Sequence, residues 1–332
     1  MSKFLVLAAL AFLSTSANAQ RNNTGFSDYH GKLALSGPQI VNQYGEPVQL
    51  MGMSSHGLQW FPNCYTKESI SFLVESWGIN LFRPALYIGE GGYQQNPQLK
   101  NTIQNIVQWC KELGIYVMID WHVLTPGDPN YWLTQPGHSN ALTFWTEMAR
   151  LYKDEKHVLY ELANEPNGVQ WSTVKSYHDT VIPAIRQIDP HAIIIAGTTT
   201  WSQDIDQAAA NPVAMPYNVM YSFHFYSCSH AGLMSRFVQY SQQIPVFITE
   251  WGSSGASGDG GPCLDVSKSY LDAANNVGGS GIKVSSAQWS YADKAEISAS
   301  LNPNACGARR WDDVSQTGRW VRDYIRANVQ GV

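Results

Sequence analysis

The stretch Val246–Trp251, which reads VFITEW, is a short apolar segment that ends in a carboxylate and an indole. Seven other runs along the chain are similarly short, mostly apolar and rich in β-branched residues. They are Val48–Ser54, Asn80–Ala85, Ile115–Trp121, Val158–Ala163, Ala192–Gly197, Val219–Phe225 and Val284–Trp289. Continuous apolar runs are typical of parallel strands that are buried on both faces. The pattern therefore predicts eight buried strands.

Amphipathic segments of helical length separate most of these strands. Leu99 to Leu113 carries apolar residues at helical spacing, and Gly114 is placed to end that helix. Another helix is predicted to start at Ser139, a residue type that caps helix N-termini well. Eight alternating strands and helices predict a single-domain (β/α)8 barrel. A doubly wound open sheet is the alternative, disfavoured because no Gly-rich phosphate turn follows an early strand.

The first 19 residues have the pattern of a signal peptide. Lys3 precedes an apolar run from Phe4 to Leu13, and Ala17-Asn18-Ala19 is a small-residue cleavage site. The apolar run is too short to cross a bilayer, whose core requires about 20 residues. We therefore expect a secreted, extracellular protein without a membrane partner.

Between the signal peptide and the barrel, residues 20–31 are expected to form a flexible tail. Residues 32–332 then make up one barrel domain. At its start, Lys32–Leu35 and Gln39–Val41 have the spacing of a small β-hairpin. We expect this hairpin to close the bottom of the barrel.

The composition of the chain excludes some partners and suggests others. The net charge is −5, whereas nucleic-acid binding requires a positively charged surface, so we expect no nucleic-acid partner. Charged residues make up only 14% of the chain, but there are 12 Trp, 17 Tyr and 11 Phe. These aromatics fill a core, bind an uncharged partner with flat apolar faces such as a sugar, or do both. Composition alone does not choose between these interpretations.

Functional residues of such barrels lie at the C-terminal ends of the strands. The polar and aromatic residues found there are His56, Arg83, Asp120, His122, Asn164, Glu165, Thr200, Trp201, His224, Tyr226, Glu250 and Trp289. Glu165 follows the fourth strand and Glu250 the seventh, and these strands face each other across the barrel mouth. Two carboxyl groups about 5–5.5 Å apart suit retaining glycoside hydrolysis, one as acid/base and one as nucleophile. The alternative is that each carboxylate pairs with an arginine and holds loops together.

Neighbouring residues suggest how the two roles are divided. Arg83 would lower the pKa of the nucleophile, and Tyr226 would donate a hydrogen bond to the same carboxylate. The other glutamate requires a raised pKa, and the adjacent Asn164 suits a sugar 2-hydroxyl. His122 and His224 either contact sugar hydroxyls or are core histidines. The indole of Trp289 either lies beneath the sugar that is cleaved or fills the core.

Seven motifs in order resemble those of glycoside hydrolase family 5 endoglucanases (cellulases) of clan A, in particular the bacterial type. They are Met51–Trp60, Phe82–Pro84, Asp120–His122, Asn164–Pro166, His224–Tyr226, Thr249–Gly252 and Trp289–Lys294. The resemblance covers Lys32 to about Val329. It implies that Glu165 is the acid/base and Glu250 the nucleophile.

The resemblance also implies a set of sugar-binding positions. Those implied to line the −1 subsite are Arg83, His122, Asn164, His224, Tyr226 and Trp289. His56 and Tyr87 would lie near the same sugar, and Trp60 would stack at −2. Trp201 would stack on the leaving-group side. Lys294 and Glu296 would bind hydroxyls on the glycone side, unless they form only a solvated salt bridge.

Five cysteines in a secreted chain are compatible with two disulfides and one free thiol. Barrel order places Cys228 near Cys263, and Cys64 near Cys306, so these pairs are our hypothesis. Pairing of Cys263 with Cys306 is the main alternative. Cys110 lies on the apolar stripe of a helix, which predicts a buried free thiol. No pair of cysteines has the spacing of metal ligands.

Taken together, these observations predict a secreted endo-β-1,4-glucanase that acts with retention on β-glucan polysaccharide. We expect a monomer that requires no metal or organic cofactor, because two carboxylates and water complete the reaction. The same scaffold also suits mannan, xylan or mixed-linkage glucan as the substrate. A non-catalytic sugar-binding barrel is the alternative from another class of protein.

Overall fold

The computed structural model describes residues 25–329, so the predicted signal peptide lies outside the described residues. The first elements are helix α1 (Phe26–His30) and an antiparallel hairpin, β1 (Ala34–Ser36) and β2 (Gln39–Val41). Within the described part of the chain, no helix is both long and apolar enough to cross a membrane.

The prediction that the flexible tail extends to residue 31 is wrong from Phe26 onwards. Phe26 is only 4% exposed, and its ring packs edge-on against Tyr116 with centroids 6.1 Å apart. The Tyr116 hydroxyl also donates a hydrogen bond to the Gly31 carbonyl at 2.6 Å. A five-residue helix is too short to show a periodic pattern, so the sequence did not reveal this contact.

Among the residues that the structure describes, nine strands build the barrel wall: β3 (Met51–Ser55), β4 (Leu81–Arg83), β5 (Ala85–Tyr87), β6 (Tyr116–His122), β7 (Val158–Glu161), β8 (Ile194–Ala196), β9 (Val219–Tyr226), β10 (Val246–Gly252) and β11 (Ser286–Tyr291). β4 and β5 are two parts of one barrel strand, interrupted at Pro84, and both pair with β6. Proline has no N–H to contribute to a strand ladder. All neighbours are parallel, and the β11–β3 pairing closes the ring. The predicted eight-stranded (β/α)8 barrel is therefore confirmed.

Helices alternate with the strands around the outside of the barrel. They are α2 (Lys67–Phe72), α3 (Leu99–Glu112), α4 (Ala141–Tyr152), α5 (Trp171–Arg186), α6 (Ile205–Ala210), α7 (Met234–Tyr240), α8 (Leu264–Asn275) and α9 (Gln316–Asn328). As predicted, Gly114 follows α3, and its φ of +68° is a conformation that glycine adopts without strain.

The predicted start of α4 at Ser139 is wrong. The N-cap is Asn140, whose side-chain oxygen accepts a hydrogen bond from the Thr143 N–H at 3.1 Å. Ser139 instead belongs to the preceding 3₁₀ turn, where its hydroxyl donates to the Pro136 carbonyl at 3.1 Å. Both residue types cap helices well, so the sequence alone does not choose between two adjacent candidates.

Apolar side chains fill the lower half of the barrel and leave its upper end open. Leu33 and Ile40 of the hairpin region belong to the same buried cluster as the strand residues Leu81, Tyr116, Met118, Leu159, Ile195, Met220 and Phe247. The hairpin therefore closes the barrel bottom, as the sequence predicts. A small cluster at the upper end contains Ala85, Tyr87, Tyr226 and Trp289.

The structure contains both hypothesised disulfides, Cys64–Cys306 and Cys228–Cys263. Cys110 is a buried free thiol, as predicted. Each disulfide joins segments that follow the C-terminal ends of two barrel strands. Both therefore lie at the mouth, whereas apolar packing closes the bottom.

We expect the two disulfides to contribute unequally to stability. Cys64 and Cys306 are 242 residues apart in sequence, and Cys228 and Cys263 are 35 apart. A disulfide removes more entropy from the unfolded chain when it closes a longer loop. Cys64→Ser/Cys306→Ser should therefore lower the unfolding free energy by about 2–4 kcal/mol. The matched variant Cys228→Ser/Cys263→Ser should lower it by about 1–2 kcal/mol less than that. Urea unfolding of both double variants measures this, and the reverse order would contradict the loop-closure argument.

Candidate active site

A cleft of about 600 Å³ opens at the C-terminal ends of the strands. It is lined by the predicted residues His56, Trp60, Tyr87, His122, Glu165, Trp201, His224, Tyr226, Glu250, Trp289, Lys294 and Glu296. Arg83 and Asn164, also predicted, do not line this cleft. Both are fully buried beneath its floor, so their immediate partners are protein groups.

The two glutamates face each other in the floor of the cleft. One oxygen of Glu165, one of Glu250 and a nitrogen of His224 all lie within 4.8 Å of one another. Enzymes that hydrolyse glycosides with retention place their two carboxyl groups about 5–5.5 Å apart, whereas inverting enzymes leave a wider gap for water. The separation observed here therefore suits the retaining geometry.

Glu250 has a hydrogen-bond donor on each of its two oxygens. The Tyr226 hydroxyl donates to Oε1 at 2.7 Å, and Arg83 Nη1 donates to Oε2 at 3.2 Å. The sequence predicts that Arg83 keeps the pKa of Glu250 low, but the net shift is upward. Burial raises this pKa and the nearby Glu165 raises it further, while His224 and Arg83 oppose the rise. The Arg83 guanidinium contacts Glu250 as predicted, but it lowers the pKa of Glu250 by less than burial raises it.

Glu165 is more suited than Glu250 to hold a proton. Burial raises the pKa of Glu165 to about 8, and Arg83 opposes this rise. Its Oε1 lies 2.9 Å from His224 Nδ1. Because burial lowers the pKa of His224 to about 4, this imidazole is neutral near pH 7 and does not stabilise a carboxylate as a cation would. Glu165 is thus protonated near neutral pH, as a general acid requires.

Arg83 organises the floor beneath the two glutamates. Its Nε donates to Glu161 Oε2 at 2.6 Å, and its Nη2 donates to Asn164 Oδ1 at 2.6 Å. Nη2 also lies 3.1 Å from Asp120 Oδ2. The planar guanidinium contacts several acceptors at fixed angles, so it positions groups from neighbouring strands relative to Glu250.

His122 and His56 stand on one wall of the cleft and contact aromatic rings. His122 Nδ1 lies 2.5 Å from Asp120 Oδ2, and its ring stacks on Tyr87 with centroids 4.1 Å apart. His56 Nδ1 accepts a hydrogen bond from the Gly57 N–H at 2.7 Å, so its Nε2 faces the cleft side near Lys294 at 3.4 Å. Its ring lies 4.8 Å from that of Trp289. Burial lowers the pKa of His56 to about 3, which keeps this imidazole uncharged near pH 7.

Exposed indoles border the cleft on two sides. Trp60 is 43% exposed, and its ring lies 4.7 Å from that of Tyr87. Trp201 is 46% exposed and belongs to a left-handed turn, in which Thr200, Trp201 and Ser202 have φ near +55°. The backbone N–H of Trp201 donates a hydrogen bond to the Pro166 carbonyl at 3.1 Å. This turn therefore fixes an exposed indole next to the Asn164–Pro166 segment that carries Glu165.

Lys294 and Glu296 form an ion pair at 2.6 Å, in which Lys294 is exposed and Glu296 is nearly buried. Gly258 covers Glu296: a Cβ at this position, whose φ is +89°, would lie 2.7 Å from Glu296 Oε2. The pair is thus not simply a solvated salt bridge, because one partner is held under a loop. The Lys294 ammonium is therefore the more open of the two groups at the cleft mouth.

The sequence did not identify all of the site. The lining residues that it missed are Glu90, Leu124, Gln203, His230, Ala256, Ser257 and Gly258, whereas Thr200, which also lines the cleft, was among the predicted strand-end residues. Most belong to loops, where no periodic pattern marks a position. It also missed a buried polar group formed by Glu161, Ser222 and Thr249. Glu161 lies inside the apolar run Val158–Ala163, and a charged residue at such a position was a signal that could have revealed it.

A closed parallel barrel with two facing carboxyl groups and exposed indoles at its open end has the architecture of a glycoside hydrolase. The model of the cellulase family (glycosyl hydrolase family 5) matches residues 41–294. The chain therefore belongs to glycosyl hydrolase family 5.

Curated relatives agree with this assignment. The chain is 43% identical over 306 residues to Endoglucanase 5 of Pectobacterium carotovorum subsp. carotovorum, covering 90% of this chain and 58% of that protein. It is 40% identical over 333 residues to an endoglucanase of Clostridium saccharobutylicum, covering 98% and 71%. The chain thus spans little more than half the length of Endoglucanase 5.

Solved structures are similar over most of their length. Cellulase Cel5C_n superposes with a TM-score of 0.83 at 45% identity, covering 90% of this chain and 93% of that one. The catalytic domain of Thermobifida fusca endoglucanase Cel5A, in complex with cellotetraose, has a TM-score of 0.84 at 36% identity and coverages of 91% and 99%.

Proposed function

We propose that the chain is an endo-β-1,4-glucanase that hydrolyses internal bonds of cellulose-type β-glucan with retention of configuration. The observation that carries this proposal is the pair of facing glutamates in different environments. Glu165 has a pKa raised to about 8, and Glu250 is held by Tyr226 and Arg83. Relatives named as endoglucanases, and a similar domain crystallised with cellotetraose, support β-glucan as the substrate class.

In the first step of the proposed reaction, Glu250 attacks the anomeric carbon while Glu165 donates its proton to the departing glycosidic oxygen. The glycosidic bond breaks and a covalent glycosyl ester forms on Glu250. Glu165 is now a carboxylate and takes a proton from a water molecule. That water attacks the anomeric carbon, the ester bond breaks, and Glu250 is released as a carboxylate. Two inversions at the same carbon give overall retention.

The surroundings suit a long, uncharged substrate. The indoles of Trp60 and Trp201 present apolar faces at the cleft border, and sugar rings pack their C–H faces on such surfaces. The proposed reaction involves no metal ion or organic cofactor, because two carboxyl groups and water supply every proton and bond. We further propose that the protein acts as a secreted monomer. Its predicted signal peptide and its two disulfides support export to an oxidising compartment.

The test is to incubate the full chain with carboxymethylcellulose, β-mannan and xylan and to follow the products by proton NMR. We expect hydrolysis of the β-glucan with the β-anomer appearing first. An initial α-anomer would refute retention. Preferential cleavage of mannan or xylan would refute the proposed specificity, and no cleavage of any polymer would refute the enzymatic function.

Trp201→Ala should weaken binding on the leaving-group side of the cleft. Loss of one stacking surface should raise KM for cello-oligosaccharides by about fivefold, equivalent to about 1 kcal/mol. Tyr131→Ala is the matched control, because Tyr131 is 44% exposed and is not among the residues that line this cleft. Steady-state kinetics measure both variants. An equal change in KM would mean that Trp201 is not a binding surface.

A further inference from the structure

A buried hydrogen-bonded chain runs from Glu165 into the interior of the barrel. His224 Nδ1 contacts Glu165 Oε1 at 2.9 Å, and His224 Nε2 contacts Thr249 Oγ1 at 2.8 Å. The Thr249 hydroxyl donates to Ser222 Oγ at 3.1 Å, and the Ser222 hydroxyl donates to Glu161 Oε1 at 3.3 Å. His224 Nε2 lies 4.0 Å from Glu161 Oε1, too far for a direct hydrogen bond, so the connection runs through the two hydroxyls.

The far end of this chain is fixed by an ion pair. Glu161 Oε2 accepts a hydrogen bond from Arg83 Nε at 2.6 Å, and neither side chain is exposed. A guanidinium can only donate hydrogen bonds and does not lose its proton in proteins. Burial raises the pKa of Glu161, and the cation of Arg83 opposes this rise. With Arg83 in contact, the Glu161 carboxylate is the acceptor that terminates the chain.

The direction of each hydrogen bond follows from that acceptor. Because the Ser222 hydroxyl donates to Glu161, its oxygen is available to accept the Thr249 proton. The Thr249 oxygen must then accept a proton from His224, which places the imidazole hydrogen on Nε2. Neutral imidazole carries one hydrogen, so His224 Nδ1 can only accept. The partner of Nδ1 is Glu165 Oε1, which must donate.

We propose that Glu161 is a positioning residue that fixes the tautomer of His224 and thereby keeps the acid proton on Glu165. The inference rests on the proposed function, since it explains how Glu165 stays protonated for the first step. No substrate contact by Glu161 is involved. The carboxylate acts through three intervening side chains on β9 and β10.

Other charged groups also act on Glu165, and the test must separate them from the chain. The titratable groups near it are Arg83 on β4, Tyr87 on β5, Asp120 on β6, Glu161 on β7, His224 and Tyr226 on β9, and Glu250 on β10. Negative charges on Asp120 and Glu161 favour the protonated form of Glu165 directly, and Arg83 opposes it. Removing the Glu161 charge therefore changes both the electric field and the hydrogen-bond direction.

Glu161→Gln should reverse the direction of every hydrogen bond between position 161 and Glu165. Arg83 can only donate, so it holds the amide oxygen, and the amide NH₂ then points towards Ser222. Ser222 would donate to Thr249, Thr249 to His224 Nε2, and His224 Nδ1–H to an ionised Glu165. Long-range ¹H–¹⁵N NMR of histidine-labelled full chain at pH 6 reads the tautomer. We expect Nε2–H in the unsubstituted protein and Nδ1–H in Glu161→Gln, with the His224 signals assigned from their loss in His224→Gln.

The same variant should move the alkaline limb of the pH–rate profile. We expect the limb of kcat/KM on a soluble β-glucan to fall from about pH 8 to below about pH 6, because Glu165 must be ionised at the pH of the NMR measurement. Above the new limb, the rate should fall by up to about tenfold for each pH unit. Ser222→Ala is the second variant, because it cuts the chain while leaving the Glu161 charge and its contact with Arg83 in place. This variant should shift the limb in the same direction, with a smaller change in kcat at the optimum.

The outcomes separate the possible roles of Glu161. If His224 remains Nε2–H in Glu161→Gln, or is already Nδ1–H without substitution, the proposal is overturned. A limb that moves in Glu161→Gln but not in Ser222→Ala means a direct charge effect, which also overturns it. A merely structural role predicts lower kcat or stability with neither change. The tautomer is measured without substrate, so a protein that hydrolyses no polymer would refute the proposed function and leave this test intact.

Discussion

Glu250→Gln should lower kcat on β-glucan by on the order of 10⁴-fold or more, with little change in fold. The amide keeps the shape of the carboxylate, and both neighbours still have a partner: the amide oxygen accepts from Arg83, and the amide NH₂ donates to the Tyr226 hydroxyl oxygen. It is a poor nucleophile, so the glycosyl ester does not form. Steady-state hydrolysis and far-ultraviolet circular dichroism measure the two parts of this expectation.

The matched control is Glu90→Gln, which removes a carboxylate from the same cleft but from its exposed rim. We expect its kcat to stay within about threefold of the unsubstituted chain, as for most surface changes. A small external anion gives a further check. With Glu250→Gly, added azide occupies the vacated space and attacks from the nucleophile's side, giving an α-glycosyl azide. Full activity of Glu250→Gln, or a β-azide from Glu250→Gly, would contradict the nucleophile role.

Glu165→Gln should lower kcat on β-glucan by on the order of 10³-fold, but by less on substrates that need no acid. When the leaving group is a sugar, its glycosidic oxygen must be protonated before the bond breaks. An acidic phenol, in contrast, departs as the anion. We therefore expect formation of the Glu250 ester from a dinitrophenyl cellobioside to stay fast and its hydrolysis to become slow. Azide should then accelerate turnover and give a β-glycosyl azide. Equal losses on the polymer and the aryl glycoside would contradict the acid role.

The pH dependence of the hydrolysis rate gives an independent test of the role of Glu165. Glu165 must be protonated in the first step, and burial raises its pKa to about 8. The rate should therefore fall as pH rises through about 8, and Glu165→Gln should lose that limb. Glu250 must be ionised, so its titration limits the rate at the acid side instead. Persistence of the alkaline limb in Glu165→Gln would assign it to another group.

The barrel was predictable because each of its strands repeats one local signal. Runs such as Val246–Trp251 are buried on both faces, so they are apolar throughout and stand out from the amphipathic helices. Details that depend on a single neighbour were not predictable. The packing of Phe26 against Tyr116 joins residues far apart in sequence, and the choice of Asn140 over Ser139 depends on the local backbone.

The site was predictable where side chains follow strand ends, because barrel geometry brings those ends together. Glu165 and Glu250 were found in this way. Their electrostatics were harder to predict, since the pKa of Glu250 depends on a sum of burial, Glu165 and opposing cations. The contact with Arg83 is only one of these influences. The left-handed turn at Trp201 also has no glycine to mark it, so the sequence did not show how the indole is presented.

The two ends of the barrel are held by different physical interactions. Apolar side chains such as Leu33 and Ile40 close the bottom, and apolar packing responds mainly to temperature. The ion pairs of Arg83 with Glu161 and Asp120 organise the mouth, and buried ionisable groups respond mainly to pH. Adaptation to an alkaline habitat and adaptation to a cold one would therefore select substitutions at opposite ends of the barrel.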